Sequence, residues 1–592
     1  MDNSIVITGQ GIISAIGNNK DEVLKSLRER RTGIGTMRHL DSEHKELPVG
    51  EVNLSNEEMK SVLCIDASRE VSRTALLGMM ALQQATDEAH LSQLKQVTPA
   101  KRIVLVSGTT VGGMDLTEKH FDSFATDDAH LECLLQHDCG ASTKLMASHF
   151  KDLFDDCTTV STACSSAANA IILGANMLKA GQADIVVAGG SEALSRFHLN
   201  GFNSLQILDK EVCRPFDDSR AGLNLGEGAA FIVMERESDA RNHNADIYGY
   251  LTGYCNACDA YHQTASSPDG EGAFLAMTGA LGMAGLSPDN IQYINAHGTA
   301  TPNNDQSESA ALLRVFGDKM PSISSTKCYT GHTTSASGSI EAVICLLAMR
   351  YGFIPANMGW SNAMPDGVTP SIDAENCSID NVLCNSFGFG GNDSSLVFSR
   401  YSGNEDDIRF SESEVSLAAQ VEINDESQLD EIRNYVKPLE ARRMGKIMKS
   451  SLLSSIKALE LAGIEKPDAI ITATAWGCLD YSERLLEQLR DEGEVLLKPT
   501  YFMQSTHNTI GSNIAIRLGC HGYNVTYTHG AKSLDWALRD ARLLLQSGRC
   551  RSVLVGVHDE VTPLFRSLME RLGIEMMPYS VYSRAIVLTC GR

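Results

Sequence analysis

The sequence predicts an α/β protein built from several layered strand–helix units. Short runs of β-branched residues alternate with stretches of helical length along most of the chain, which is the pattern of βαβ units. A long block near the middle of the chain also recurs near its C-terminal end. Hydrophobic residues make up 43% of the 592 residues and charged residues 21%, which is typical of globular proteins. At roughly 150 residues per domain, this length allows about four domain-sized units.

The strand–helix alternation is clearest in the first third of the chain. Residues 5–8 predict the first strand and residues 21–31 the first helix. Residues 102–106 predict a strand that leads into a glycine turn. Residues 166–180 predict a long helix, and residues 183–187 the buried strand that follows it.

The repeated block has the same predicted elements in both copies. The segment STACSSAANAIILGANMLKAGQADIVVAGGSEAL aligns without gaps with YTHGAKSLDWALRDARLLLQSGRCRSVLVGVHDEV. In this register Gly181 lies opposite Gly548, and Cys164 lies opposite Ala531. Each copy therefore predicts a tight strand end, a long helix, a glycine turn and a buried strand.

The charge balance excludes several classes of partner. The chain carries 74 acidic and 50 basic residues, a net charge of −24, whereas nucleic acids and anionic lipids require a basic surface. No apolar run approaches the ~20 residues that span a bilayer, and the N-terminus lacks the basic and apolar regions of a secretory signal. Sixteen dispersed cysteines favour reduced thiols. We expect a cytoplasmic protein.

Residues 404–431 differ in charge composition from the rest of the chain. They contain ten acids and one base, and they divide residues 1–403, with a net charge of −20, from residues 432–592, with +5. Two interpretations are open for this segment: a solvated acidic connection, or a polar edge strand followed by a short helix. We favour the acidic connection.

Cys164 is the first candidate for chemistry. It follows a β-rich run and directly precedes a helix, where unpaired N–H groups and the helix dipole stabilise a thiolate. Small neighbours leave room for a substrate. Since most cysteines of α/β proteins are buried hydrophobic residues, this segment alone would favour a structural role.

Two histidines and a glycine-rich turn change that interpretation. His297 and His332 each lie in a turn rich in glycine and threonine after a strand-like run, where the active sites of α/β proteins usually lie. The segment NSFGFGGN at residues 385–392 could direct a backbone N–H towards an oxyanion, or could be a tight strand connection. Each segment alone favours a structural role, and only the combination indicates a site.

That combination resembles the β-ketoacyl-[acyl carrier protein] synthases of the type II elongating class over the first 400 or so residues. The matching segments are VITGQGIISAIGN, SGTTVGGM, TACSS, GGSEA, RPFDDSRAGLNLGEGAA, DAYHQTASSPDG, NAHGTATPNNDQSE, STKCYTGHTTSASG and NSFGFGGN. The resemblance implies a thiolase fold with αβαβα layers, in two halves at residues 1–245 and 246–403. After the acidic connection at 404–431, residues 432–592 resemble a truncated, additional ketoacyl-synthase-like half domain of the kind found in polyene and polyketide clusters.

The resemblance also implies residue roles. Cys164 matches the nucleophile that accepts the acyl chain. His297 and His332 match the pair that promotes decarboxylation of the malonyl unit. Lys327 matches the lysine that orients the second histidine, and Glu308 the glutamate of the same network.

The oxyanion hole and the acyl channel complete the implied site. The backbone N–H groups of Cys164 and Phe389 match the oxyanion hole, and Phe389 the gating phenylalanine. Val111, His262 and Phe387 are expected along the substrate channel.

Departures from the family pattern point to the pathway. The segment Leu223–Glu227 and the Asn392–Asp393 pair differ from plain fatty-acid synthases, and the former resembles synthases of aryl-polyene pathways. The resemblance therefore implies decarboxylative condensation in fatty acid or in polyketide and aryl-polyene biosynthesis. It also implies a homodimer or a pseudo-symmetric assembly, with an acyl carrier protein as partner.

The third unit, residues 432–592, lacks the nucleophile, and no second histidine pair follows. We expect it to act in packing, chain-length control or docking. Because carrier proteins are acidic, Arg69, Arg73, Arg442 and Arg443 are candidate docking residues. Contact of the basic third unit with the acidic synthase halves is an equal alternative.

No metal or cofactor is expected. Cys255 and Cys258 with His262 resemble part of a zinc site, but a structural site usually needs four ligands and no second pair lies nearby. A second hypothesis makes the chain a non-catalytic chain-length factor or scaffold partner of another synthase, and a third makes it a Cys/His hydrolase.

Overall fold

The computed structural model describes residues 4–403, 414–494 and 497–590. The N-terminal half contains strands β1 (Ile5–Ser14), β2 (Ile34–Gly35), β3 (Val49–Gly50), β4 (Ile103–Gly108), β5 (Asp156–Val160), β6 (Ile185–Glu192) and β7 (Gly228–Arg236). Its helices are α1 (Lys20–Arg28), α2 (Asn56–Val62), α3 (Arg73–Glu88), α4 (Leu91–Val97), α5 (Met114–Phe124), α6 (Cys139–His149), α7 (Ser166–Lys179), α8 (Arg196–Ser204) and α9 (Glu237–Asn242), with a 3₁₀ helix at Leu131–Gln136.

Residues 246–403, the C-terminal half of the predicted fold, repeat this pattern. Its strands are β8 (Gly249–Cys258), β9 (Tyr293–Asn295), β10 (Ser322–Ser324), β11 (Phe353–Ile354), β12 (Glu375–Asn376), β13 (Asn381–Gly388) and β14 (Asn392–Ser399). Its helices are α10 (Glu271–Ala284), α11 (Pro302–Phe316), α12 (Lys327–Thr330) and α13 (Ser337–Tyr351), with 3₁₀ helices at Pro288–Asn290 and Thr334–Ala336.

The third unit has the same kinds of element. Its strands are β15 (Val415–Ile423), β16 (Ala469–Ala473), β17 (Tyr523–Tyr527), β18 (Ser552–Glu560) and β19 (Val581–Cys590). Its helices are a 3₁₀ helix at Glu426–Asn434, α14 (Pro438–Arg443), α15 (Lys446–Ala462), α16 (Leu479–Glu492), α17 (Pro499–Met503), α18 (Thr509–Leu518), α19 (Ser533–Gln546) and α20 (Pro563–Arg571).

Fifteen of the strands in the described ranges form one sheet, in which the same strand order occurs three times. The sheet runs β10-β9-β13-β14-β8, then β1-β7-β6-β4-β5, then β17-β16-β18-β19-β15. When the strands of a block are numbered in chain order and read from strand 1, each block has the order 1-5-4-2-3. The first and third blocks run in the opposite direction to the second in the sheet. The predicted thiolase fold with an additional half is therefore confirmed.

Alternate residues of the strands divide the cores and create the layers. On β4, Val104 and Val106 face a core shared with α7 and α13, whereas Ile103 and Leu105 face a core shared with α3. Residues 166–178 of α7 are all buried, as expected for a helix enclosed on every side. Helices α10 and α11 cover the outer face of the C-terminal half. The two blocks of the sheet form separate layers. In order, the layers are α3, the block that contains β4, the helices α7 and α13, the block that contains β8, and α10.

The third unit joins the first two halves through the strand that leads to Cys164. Strand β17 runs antiparallel to β5, with Tyr527 opposite Val160. The N–H of Ser161 donates to the carbonyl of Thr526 (2.9 Å) and the N–H of Thr528 to that of Thr159 (3.0 Å). The two joined strands are the third strands of their blocks, so the halves meet through equivalent edges.

The register of the repeat is also confirmed. A β-bridge links Thr162 to Cys164 in the first copy and His529 to Ala531 in the third unit. After each turn a serine four residues on, Ser166 or Ser533, accepts a backbone N–H (2.9 and 2.7 Å). Ala531 therefore occupies the place of Cys164.

The favoured interpretation of residues 404–431 needs correction. Residues 415–423 form β15, an edge strand that pairs antiparallel with β19 along its whole length, and a 3₁₀ helix follows. The alternate exposure of β15 explains its polar sequence, since one face meets solvent. Residues 404–413, the start of the predicted connection, lie outside the described residues. In the described part of the chain, none of the helices combines the length and apolar character that a membrane crossing needs.

Candidate active site

Cys164 lies in the turn between β5 and the N-terminus of α7. Ala163 adopts a left-handed φ of 52°, which turns the chain sharply before the helix. The N–H of Thr162 donates to the Ser166 hydroxyl, which donates to the carbonyl of Ala163 (2.6 Å). The turn fixes the thiol, which is only 5% exposed, at the amino end of a buried helix.

The two histidines converge on this thiol from the other half of the synthase. His297 follows β9, and His332 follows the short helix α12. The Nε2 atom of His332 lies 3.1 Å from the Cys164 Sγ, and the two imidazole rings lie edge to face with centroids 5.3 Å apart. The Nδ1 atom of His332 lies 3.1 Å from the Ser337 hydroxyl. A hydroxyl that donates to Nδ1 leaves the ring proton on Nε2, facing the thiol.

The structure separates the two charged residues that the sequence placed in one network. Lys327 pairs through Nζ with Glu341 (2.5 Å), and both side chains are buried. Glu308 instead accepts the backbone N–H groups of His297 (2.9 Å) and Gly298 (2.7 Å). The assignment of Glu308 to the Lys327 network is therefore wrong: Glu308 holds the backbone of the His297 turn, and Glu341 is the partner of the lysine.

Burial and the lysine charge set the protonation states. The pKa values of His297 and His332 lie well below the usual value, first because both rings are buried and then because Lys327 is close. Both histidines are therefore neutral near pH 7. Burial raises the pKa of the Cys164 thiol to about 12, although the Lys327 charge and the Phe389 N–H lower it in part. Cys164 is therefore a thiol near pH 7, and it could act as a nucleophile only after losing its proton.

The glycine-rich turn between β13 and β14 brings a backbone donor to the thiol. The N–H groups of Phe389 and of Cys164 itself both act on the sulfur. The third unit holds this turn, because the Asn508 amide donates to the carbonyl of Phe389 and to the side-chain carbonyl of Asn392, both at 2.8 Å. Gly390 has a φ of 83°, and a Cβ there would meet helix α18. The turn thus requires glycine on both conformational and steric grounds.

A cavity of about 310 Å³ opens onto the nucleophile. Cys164, both histidines, Phe387 and Phe389 contribute to its wall. Of the three predicted channel residues, Phe387 lies in the wall of this cavity.

The other two predicted channel residues lie elsewhere. Val111 is buried in an apolar cluster shared with the third unit and does not line the cavity. His262 is exposed, and its Nδ1 accepts the N–H groups of Thr264 and Ala265 at 3.2 Å. The imidazole caps its own turn, while the neighbouring residues 264–266 line the cavity.

A row of aromatic rings runs from Phe389 at the cavity into the third unit. The ring of Phe389 stacks on Phe202 at 5.7 Å, and Phe202 packs on Phe502 of helix α17 at 5.1 Å. Gly201 leaves the space for Phe502, since a Cβ at that position would lie 2.1 Å from the ring. A third-unit side chain therefore backs the wall of the cavity.

One of the four candidate docking residues is wrongly assigned. Arg73 is buried and binds Glu227 through Nε and Nη2 at 2.6–3.0 Å, so it is not available to a partner. Arg69, Arg442 and Arg443 are exposed. The last two line a cleft of about 590 Å³ together with Lys446, Lys449, Arg484 and Arg566.

Other basic residues of the third unit contact the synthase. Arg571 pairs with Asp128, and Lys532 and Arg539 lie 3.6 and 3.5 Å from Asp156. Electrostatic contact between the third unit and the synthase is therefore real, but it is made by bases other than Arg442 and Arg443.

Cys255 and Cys258 are separated by three positions on β8, so their side chains point to opposite faces of the sheet. The spacing that resembled half a zinc site is therefore part of a strand.

Two site residues were missed by the sequence analysis. Glu341 is the only acid of an otherwise uncharged, buried stretch of α13, and a lone charge in such a helix is a usable signal. Nothing in the local sequence predicts the role of Asn508, because the residues that it contacts lie 116 or more positions away in the chain.

Comparison with known proteins places the chain among condensing enzymes. Residues 2–240 match the family model for the β-ketoacyl synthase N-terminal domain, and residues 248–361 match that for the C-terminal domain. Residues 417–590 match a second model for the N-terminal domain. The chain is 32% identical to 3-oxoacyl-[acyl-carrier-protein] synthase 2 of Coxiella burnetii over 67% of this chain and 98% of that protein.

Solved structures give the same result. A ketosynthase from Xenorhabdus doucetiae, in complex with its chain length factor, is 30% identical, with a TM-score of 0.58 over 67% of this chain and 98% of that one. The PfaC ketosynthase–chain length factor structure matches 100% of this chain and 78% of its own, with a TM-score of 0.80 and 16% identity. The latter likeness concerns the fold alone.

Proposed function

The chain belongs to the β-ketoacyl synthase family, and from this premise we propose that it condenses an acyl thioester with malonyl-[acyl carrier protein], with loss of carbon dioxide. The observation that carries the proposal is the meeting of Cys164, His297 and His332 at one cavity, with His332 Nε2 3.1 Å from the thiol. The reaction uses no metal and no organic cofactor.

The first half-reaction is acyl transfer. The Cys164 thiol loses its proton to water, and the thiolate, held by the Nε2–H of His332, attacks the thioester carbonyl. The departing pantetheine thiolate takes up a proton from water. The N–H groups of Cys164 and Phe389 stabilise the oxyanion of the tetrahedral intermediate. Acyl-Cys164 and a free carrier thiol result.

The second half-reaction forms the carbon–carbon bond. The malonyl carboxylate leaves as carbon dioxide, and its bonding electron pair forms an enolate whose oxygen faces the two imidazoles. Neutral histidines suit this role because their N–H groups donate to the enolate without protonating its carbon. The enolate carbon attacks acyl-Cys164, and the sulfur leaves as a thiolate that recovers a proton.

The third unit supports this chemistry without performing it. Ala531 replaces the nucleophile. Asn508 contacts the glycine-rich turn between β13 and β14, the gate turn, and Phe502 packs behind Phe202 of the cavity wall. We infer that the unit takes the place of a partner half at the β5 edge and limits acyl length. On this proposal one chain is a pseudo-symmetric assembly, and light scattering at 64.0 kDa would distinguish it from a homodimer.

The acyl carrier protein is the proposed partner. Exposed Arg69 and the cleft with Arg442 and Arg443, whose lining has six bases against four acids, offer a modest positive charge to an acidic surface. Cytoplasmic location and a role in fatty acid or in polyketide and aryl-polyene synthesis accord with a supply of carrier-bound acyl groups.

The test is a condensation assay with the purified full chain, acyl-carrier protein and malonyl-carrier protein, read by mass spectrometry of the 3-oxoacyl product. We expect Cys164→Ala to abolish product, and Cys64→Ala, at an exposed cysteine remote from the site, to leave it unchanged. Full activity of Cys164→Ala would refute the proposal. Failure of the unaltered chain to form an acyl-enzyme would favour the scaffold hypothesis, and release of free acid without malonyl substrate would favour the hydrolase.

A further inference from the structure

Four side chains of types that can ligate a metal, drawn from separate segments, meet in the N-terminal half. Glu70 precedes α3, His120 lies on α5, and His130 and Cys133 lie at the 3₁₀ helix that follows. One ligand atom of each lies within 4.8 Å of all the others. Glu70 lies at the centre, 3.1 Å from His120 Nε2, 3.3 Å from His130 Nδ1 and 2.7 Å from Cys133 Sγ.

This donor set has the chemistry of a zinc site. One thiolate, two imidazoles and one carboxylate give four ligands, and tetrahedral bonds of about 2.0–2.3 Å place ligand atoms about 3.3–3.8 Å apart. In the structure the four ligand atoms lie within 4.8 Å of one another. The His120 and His130 rings are stacked with centroids 4.1 Å apart, so the imidazoles must turn towards a bound ion. We propose that Glu70, His120, His130 and Cys133 bind a Zn²⁺ ion.

The charges of the cluster are suited to a divalent cation. The Cys133 thiol donates to Glu70 at 2.7 Å, so a bound ion would take the place of this proton. On binding, the thiol proton passes to solvent and thiolate plus carboxylate neutralise Zn²⁺. Lys119, 58% exposed, is free to rotate away from Glu70.

The position of the cluster indicates a structural role. The loop between α5 and the 3₁₀ helix also contacts the third unit, where Arg571 pairs with Asp128 and donates to the carbonyl of Asp127 (2.9 Å). An ion bound here would join the segment before α3 to this loop. Four protein ligands leave no open position for a substrate, and His130, 46% exposed, provides the entry path.

The experiment is metal titration of the chelator-treated full chain, with Co²⁺ as spectroscopic probe and Zn²⁺ as competitor. We expect one Co²⁺ per chain, with the visible bands of a tetrahedral site and a thiolate charge-transfer band, all displaced by Zn²⁺. Cys133→Ser should abolish the charge-transfer band and His130→Asn should weaken binding. The matched controls, Cys64→Ser and His39→Asn at exposed positions, should leave both unchanged.

Two further measurements make the outcome decisive. Calorimetry in buffers of different ionisation enthalpy should record release of about one proton for each Zn²⁺ bound near pH 7. Circular dichroism establishes that each variant is folded. Absence of a bound equivalent, or equal loss in Cys64→Ser and Cys133→Ser, would overturn the proposal. Condensation activity is not the readout, so failure here leaves the proposed function unaffected.

Discussion

The hydrogen bonds from Asn508 of the third unit to the gate turn give a measurable prediction. Asn508→Ala removes the amide that donates to the Phe389 carbonyl and to the Asn392 side chain. An acceptor left without its donor costs about 1–3 kcal/mol, so two of them weaken the closed turn by at least about 2 kcal/mol. At 1.36 kcal/mol per factor of ten, this corresponds to about 30-fold in the equilibrium of the turn.

The effect should be seen in kcat rather than in KM. In the proposed mechanism Phe389 supplies one of the two oxyanion donors. Complete loss of such a donor costs about 10²–10³ in rate, which sets the upper limit of the effect. We expect kcat for condensation to fall by about 30-fold or more, up to that limit, with little change in KM, because Asn508 acts through the turn and is not among the residues that line the cavity.

The matched control is Ser512→Ala on the same helix. Its hydroxyl lies 3.5 Å from the Asn392 side-chain carbonyl, too far for a strong hydrogen bond, so kcat should be nearly unchanged. Steady-state kinetics and thermal unfolding of both variants decide the matter. Unchanged kcat in a folded Asn508→Ala variant, or an equal fall in both variants, would refute the reasoning.

Three further outcomes follow from the site. Glu341→Gln leaves Lys327 buried without its counter-ion, so unfolding by denaturant should show a loss of about 3–5 kcal/mol; a loss below about 1 kcal/mol would contradict the buried pair. Because burial raises the pKa of the Cys164 thiol to about 12, its thiolate fraction and its alkylation rate by mass spectrometry should rise about tenfold per pH unit from pH 7 to 9, and a plateau in that range would be inconsistent. Phe502→Ala should cost about 3–5 kcal/mol and shift the products to longer acyl chains, whereas Phe565→Ala, which packs on Trp476, should cost a similar amount without that shift.

The residues predicted from the sequence are those whose chemistry is visible in a short segment. Cys164 before a helix, His297 after a strand and His332 after the short helix α12 could be found because each lies in a segment rich in small residues. The β5 strand and helix α7 were likewise predictable, since hydrophobic period and length define them locally. The repeat register that places Ala531 opposite Cys164 needed only matched glycine spacings.

The remainder depended on packing between distant segments. Arg73 reads as a surface base, yet Glu227 lies 154 residues away and pairs with it in the core. Glu308 and Glu341 could not be told apart as partners of Lys327, because only the folded turn shows which carboxylate faces backbone N–H groups. The sequence of residues 415–423 indicated a polar connection because one face of an edge strand meets solvent and is polar. Its pairing partner, β19, lies at the other end of the unit, so the local sequence does not reveal the pairing.

The loss of a nucleophile in the third unit and the retention of its fold have one physical explanation. Strand β17 completes the edge of β5, the strand that delivers Cys164, so removing the unit would leave that strand with unpaired N–H and carbonyl groups. The same unit supplies Asn508 to the gate turn and Phe502 to the cavity wall. None of these contacts needs a thiol at position 531, whereas all of them need the five-strand order that the unit shares with the synthase halves. Selection for packing at this edge is therefore sufficient to keep the fold after its own chemistry is gone.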